Sequence, residues 1–191
     1  DVPQTIQDRW KATYRYLLQK ETVFCMGKQL VLKNPSNTAR VRLLLEMFPD
    51  AKFIHIYRNP YDVYQSMMKL ILSIVPHMCL QRPPPTPVVS QQVLQVYGQM
   101  YQKYLRQKGS IPRQNLVEIR YEDFIQRPLE HVQDLYSRLG LDGFDVSVDS
   151  FTDYIASQHH IRKQQYTMDK QLKERIYSEW KFAFDAFEYE K

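Results

Sequence analysis

Cysteine is nearly absent from this chain, with Cys25 and Cys79 the two examples in 191 residues, each in an unrelated setting. Two such residues build neither a disulfide framework nor a metal cluster, and they make a reducing compartment, hence the cytoplasm, the default expectation. Glycine is scarce too: there are five, and none lies in a glycine-rich turn followed by Lys and Ser or Thr. That turn is what a nucleotide kinase uses to cradle phosphates. Long apolar runs are missing. The longest, "LILSIVPHMCL", is too short to cross a bilayer and carries Pro76, so no transmembrane segment is expected. There is no block of Lys and Arg of the nucleic-acid type and no stacking pattern of aromatics, which argues against a nucleic-acid partner. An initiator Met and a signal peptide are also lacking; the sequence opens on "DVPQTIQDRW" as though cut from something longer.

What is present is sufficient for a core. Hydrophobic residues make up 43% of the chain, and 26 basic against 21 acidic residues leave a net charge of +5. The length fits one domain, residues 1–191, and the mild positive excess fits an anionic ligand. No internal repeat is visible. "TIQDRWKATYRYLLQK" spaces Ile6, Trp10, Tyr14, Leu17 and Leu18 at helical intervals. "KQLVLK" (28–33) reads as a short strand stopped by Asn34 and Pro35. A helix is expected from Asn37 to Phe48, with Ser36 or Asn37 as N-cap. "KFIHIY" (52–57) reads as a second strand, and a helix is expected from Pro60 to about Ser73. "QRPPPTP" reads as a surface loop, "VVSQQVLQVYGQMYQKYLRQK" as a long helix and "NLVEIRY" as a third strand. "RPLEHVQDLYSRLG" is expected to be a helix closed by Gly140. An irregular basic stretch, "QHHIRKQQY", then precedes a last helix around "DKQLKERIYSEWKFAF".

Strands alternating with helices imply right-handed crossovers and an α/β fold of three layers, a parallel sheet flanked by helices. Ligands of such sheets sit beyond the carboxyl ends of the strands. Here the expected strands end on Lys33, on Arg58 and on Arg120-Tyr121.

Arg58 is followed by Asn59, a good N-cap, and by Pro60, which suits a first helical turn. Free N–H groups and the helix dipole favour an anion there. Ser66 lies about 10 Å further along the helix, so an anion touching both would lie on the helix flank. The same residues also read as an Arg paired with Asp62 and a Ser facing a neighbouring helix. Lys33 can neutralise charge on a transferring group, or it can be a solvated strand-end lysine. Tyr121, heading "RYEDF", offers a flat face to a base or a hydroxyl to a phosphate, and it also reads as a packing residue.

Taken together, "LVLKNPSNTARVRLLLEMFPDAKFIHIYRNPYDVYQSM" resembles the core of the sulfotransferases that use 3′-phosphoadenosine 5′-phosphosulfate (PAPS), which have a P-loop-NTPase-like fold. "VEIRYEDFIQRPLEHVQDLYSRLGL" and "HIRKQQYTMDKQLKERIYSEWKFAFDAFEYE" continue the likeness. Its most specific element is an Arg at a helix start, a Ser eight residues on, and a Lys 25 residues before. The resemblance implies that Arg58 and Ser66 grip the donor's 3′-phosphate and that Lys33 sits beside the bridging oxygen as the sulfuryl group moves. It further implies that Tyr121 contacts the adenine and that Arg162, Lys163 and Tyr166 close over the nucleotide. No metal is expected. The acceptor would carry a hydroxyl or an amine.

Two departures stand out. Relatives with an "LKSP" stretch often carry a His two residues after its Pro, where this chain has Asn37, and Asn is no general base. His159 and His160 are alternatives without support. The family's 5′-phosphosulfate loop, a Gly/Ser/Thr-rich turn between the first strand and helix, has no counterpart. The expectation is the C-terminal part of a longer enzyme, completed by an upstream N-terminal segment. A nucleotide kinase of related topology, or a non-catalytic nucleotide-binding or interaction domain keeping the 3′-phosphate half-site, are the competing readings.

Overall fold

The computed structural model describes residues 2–158 and 168–191. The chain opens with helix α1 (Gln4–Phe24), which turns Trp10, Tyr14 and Leu18 inward and leaves Ile6 and Leu17 exposed. A 3₁₀ turn (Pro35–Ala39) and the short α2 (Val41–Met47) lead to strand β1 (Phe53–Tyr57) and helix α3 (Pro60–Met78). Then come α4 (Thr86–Gln107), strand β2 (Leu116–Arg120), the single turn α5 (Tyr121–Phe124), α6 (Pro128–Leu139), α7 (Phe144–Ser157) and α8 (Lys170–Phe187).

β1 and β2 pair in parallel, with Phe53 opposite Leu116 and Tyr57 opposite Arg120. Because side chains alternate along a strand, the sheet has two distinct faces. Val117 and Ile119 pack beneath Leu135 and Leu139 of α6. The other face carries His55 and Tyr57 against Tyr101 and Tyr104 of α4 and Phe187 of α8. Helices thus cover both faces of a parallel sheet, the three-layer arrangement expected. The larger core lies between α3, α4 and α8. Val89, Val93, Leu94, Tyr97, Tyr101 and Tyr104 form the buried stripe of α4, at the spacing of one helical face. Trp180 and Phe184 of α8 fill the centre.

Several expected elements are corrected. Residues 28–33 form no strand; they run as an exposed, irregular segment with Val31 90% accessible. A strand exists through its neighbours, and β1 and β2 pair with each other and with nothing else among the described residues. The helix expected from Asn37 is split: Asn34 caps the 3₁₀ turn by accepting the Ser36 N–H at 3.0 Å, and the regular helix starts after Arg40. α3 runs beyond Ser73 to Met78, tolerating Pro76 in its last turn. Gly140 closes α6 in the left-handed region at φ 56°, as expected. α7 was not expected. Among the described residues no helix is long and apolar enough to cross a membrane.

Candidate functional site

The register of the sheet fixes the site. Since Tyr57 and Arg120 are opposite each other, both strands end at the same level, and Arg58 and Tyr121 emerge side by side. The Arg58 guanidinium lies 4.8 Å from the Tyr121 ring centre, within reach of a cation–π contact. Its Nη2 and Nε also donate to Asp62 Oδ2 at 2.9 and 3.3 Å. The alternative pairing with Asp62 is therefore present, and it leaves Nη1 for a second acceptor. Both side chains remain partly open to solvent, at 25% and 33%.

The turn between β1 and α3 is fixed through Asn59. Its side chain accepts the Tyr61 N–H at 2.9 Å and Pro60 occupies the first turn, so the helix starts as its sequence dictates. The backbone N–H of Asn59 donates to Glu122 Oε1 at 3.1 Å. Glu122 Oε2 accepts the hydroxyl of Tyr189 at 2.6 Å and lies 3.5 Å from Arg120 Nε, whose guanidinium sits 4.4 Å above the Tyr189 ring. Against the upward push of burial, the bonds from Tyr189 and Asn59 and the charge of Arg120 hold the Glu122 carboxyl below its usual range. Burial and the neighbouring Glu122 push the Tyr189 phenol up.

Ser66 is exposed on α3, one turn beyond Asp62, so Arg58, Asp62 and Ser66 follow one flank of the helix. Lys33 is exposed in the irregular segment before the 3₁₀ turn. No hydrogen bond, ion pair or ring contact among the described residues joins Lys33 or Ser66 to Arg58 or Tyr121. Asn37 Oδ1 accepts from Arg40 Nη1 at 3.4 Å, so this side chain serves the turn. Arg162, Lys163 and Tyr166, with His159 and His160, lie outside the described residues. Among the described residues, no three His, Cys, Asp or Glu side chains are grouped to hold a metal ion.

Sequence reasoning missed Glu122 and Tyr189. "RYEDF" contains Glu122 without saying that it reaches across to the turn after the neighbouring strand β1. Tyr189 has no sequence signal at all, because its partner is 67 residues away. Asp62 was visible as the i+4 partner of Arg58.

Comparison with known proteins gives a consistent answer. The family model described as "Sulfotransferase family" matches residues 3–145. The omega-hydroxy-beta-dihydromenaquinone-9 sulfotransferase Stf3 of Mycobacterium bovis is 31% identical over 183 residues, covering 95% of this chain and 46% of that protein. Its namesake from Mycobacterium tuberculosis gives the same figures. The chain thus spans somewhat less than half the length of these relatives. In fold it is similar to the crystal structure of sulfotransferase STF9 from Mycobacterium avium, with a TM-score of 0.70 at 17% identity, covering 83% of this chain and 42% of that one. It is also similar to the sulfotransferase domain from the curacin biosynthetic pathway, with a TM-score of 0.51 at 17% identity, covering 90% of this chain and 67% of that one.

Proposed function

This chain belongs to the sulfotransferase family, and from that premise we propose that it serves sulfuryl transfer from PAPS to an acceptor hydroxyl or amine. One observation carries the reading: Arg58 leaves the carboxyl end of β1 beside Tyr121 at the end of β2, at the start of the helix that bears Ser66. A strand-end guanidinium with a free donor, a helix start and an aromatic face match a phosphorylated nucleoside. Arg58 and Ser66 bind the 3′-phosphate and Tyr121 the base, with Asp62 sharing the guanidinium and orienting it. The donor supplies the sulfuryl group. As the acceptor attacks sulfur in line, the bond from sulfur to the bridging phosphate oxygen breaks, and the Lys33 ammonium, a mobile point charge, neutralises the charge left on that oxygen. Arg162, Lys163 and Tyr166 complete the nucleotide's cover. The relatives' name gives an omega-hydroxy compound, and a hydroxyl is by that likeness the favoured acceptor. Membership of the family counts against the kinase alternative.

The test is a titration of the full-length gene product with adenosine 3′,5′-bisphosphate against 5′-AMP. Arg58→Ala is expected to weaken the bisphosphate by roughly tenfold to a hundredfold, the worth of one charge-assisted contact, and to leave 5′-AMP nearly unaffected. An equal loss for both nucleotides overturns the assignment.

A further inference from the structure

The carboxylate of Glu122 stands at the edge of the anion site, where a negative charge is unwelcome. Its Oε1 rests 3.1 Å from the peptide nitrogen that joins Arg58 to Asn59. From there the carboxylate sets a negative charge beside the start of the Arg58–Asn59 turn, and once released from its present donors it would compete with an anionic ligand for the positive charge of this site. The second oxygen accepts the hydroxyl of Tyr189, from the far end of the fold, with Arg120 Nε 3.5 Å away.

Tyr189 is itself firmly placed. Glu188 takes a left-handed conformation at φ 56°, which turns the chain back after α8, and the Tyr189 N–H then donates to Phe184 O at 3.0 Å. The ring is 7% accessible, stands edge-on to Tyr57 at 6.2 Å and carries Arg120 on its face. The hydroxyl is thus delivered by a rigid ring to one carboxylate oxygen.

We propose that Tyr189 is a positioning residue for the anion site: it holds the Glu122 carboxylate on the β1–α3 turn, keeping that charge off Arg58 and the Asn59 backbone in place. This rests on the reading of Arg58 as the 3′-phosphate ligand. Oε1 of Glu122 is then taken by the Asn59 N–H and Oε2 by the Tyr189 hydroxyl, with Arg120 Nε 3.5 Å from the same oxygen, and the turn is tied to β2 and to the segment after α8 at once.

The experiment uses Tyr189→Phe in the full-length protein, which removes the hydroxyl and keeps the ring under Arg120. Affinity for adenosine 3′,5′-bisphosphate is expected to fall about tenfold, with 5′-AMP little changed. Adding Glu122→Gln should restore most of that affinity, because the amide oxygen still accepts the Asn59 N–H without a charge to misplace. A structural role alone would weaken both nucleotides together and show no restoration; that result, or parental affinity in Tyr189→Phe, overturns the proposal. Glu122→Gln alone, which removes the charge and with it the ion pair to Arg120 but keeps an acceptor for the Asn59 N–H, is expected to bind the bisphosphate more tightly, and a loss there also overturns it. Arg58→Ala separates the two readings: if it leaves the 3′-phosphate preference intact, the site assignment fails, whereas a normal loss there beside a silent Tyr189→Phe sinks the brace alone.

Discussion

His55, in the middle of β1, is buried at 7% accessibility with neither ring nitrogen hydrogen-bonded to any described residue. Its ring stacks on Tyr104 at 4.1 Å and meets Tyr101 and Phe187, while Glu118 Oε1 lies 3.8 Å from Nδ1, too far for a hydrogen bond. Lys108 and the Tyr104 hydroxyl already take up the Glu118 carboxylate. Burial therefore dominates: it lowers the His55 pKa to about 4, with Glu118 pulling the other way and Lys108 adding to the fall. Between pH 6.5 and 4 the unfolded chain binds a proton that the folded one refuses. The stability from a neutral His55 is thus fully present above pH 6.5 and is lost as pH falls toward 4, on the order of 3 kcal/mol. His55→Phe should remove this acid-side loss, so that its melting temperature falls less than the parent's between those pH values. Parallel curves would show that His55 does not set the slope. The strand was legible in "KFIHIY", but the state of His55 was not: alternation groups it with Phe53 and Tyr57 without saying that α4 and α8 cover that face.

Elements were legible where one face of apolar residues settles both period and partner. α4 is such a case, and so is α8, where Trp180 is fully buried, stacks on Tyr97 at 3.9 Å and donates its Nε1–H to Leu94 O at 2.9 Å. At Trp180 the backbone of α8 leaves the helical region (φ −115°, ψ 16°), a kink that no residue type in "KERIYSEWKFAF" announces. Trp180→Phe removes the donor and part of the ring, and is expected to destabilise by about 1–3 kcal/mol, read as a lower urea midpoint. A shift near zero would mean that Tyr97 and Phe184 close over the space. α7 was readable in hindsight, since Phe144, Val148, Phe151 and Ile155 recur at helical spacing, and Tyr136 of α6 meets Phe144 and Phe151 at 5.6 and 6.0 Å. Its polar remainder masks that signal. "KQLVLK" failed for the opposite reason: strand propensity is expressed only beside another strand.

For the whole molecule the open question is the outer edge of β1. The sheet among the described residues has two strands, so one side of β1 offers unpaired backbone donors and acceptors. Ile54 and Ile56 are 45% and 46% accessible, and Val31, Phe24 and Met26 are exposed as well. Such an unpaired edge is prone to recruit another strand. The relatives are more than twice as long as the matched region. We expect a strand parallel to β1 to come from outside residues 1–191, bringing with it the turn that would bind the 5′-phosphosulfate. In the full-length protein, the outer-edge amides of β1 should exchange slowly with deuterium, and in residues 1–191 expressed alone they should exchange fast. Ile54→Lys, a charge on the half-open sheet face that Ile54 shares with Val117, should destabilise the full-length protein while making the isolated piece more soluble. A soluble, cooperatively unfolding monomer of residues 1–191 that transfers sulfate would defeat the expectation, because the donor's sulfate end would then have to be held by residues already present here.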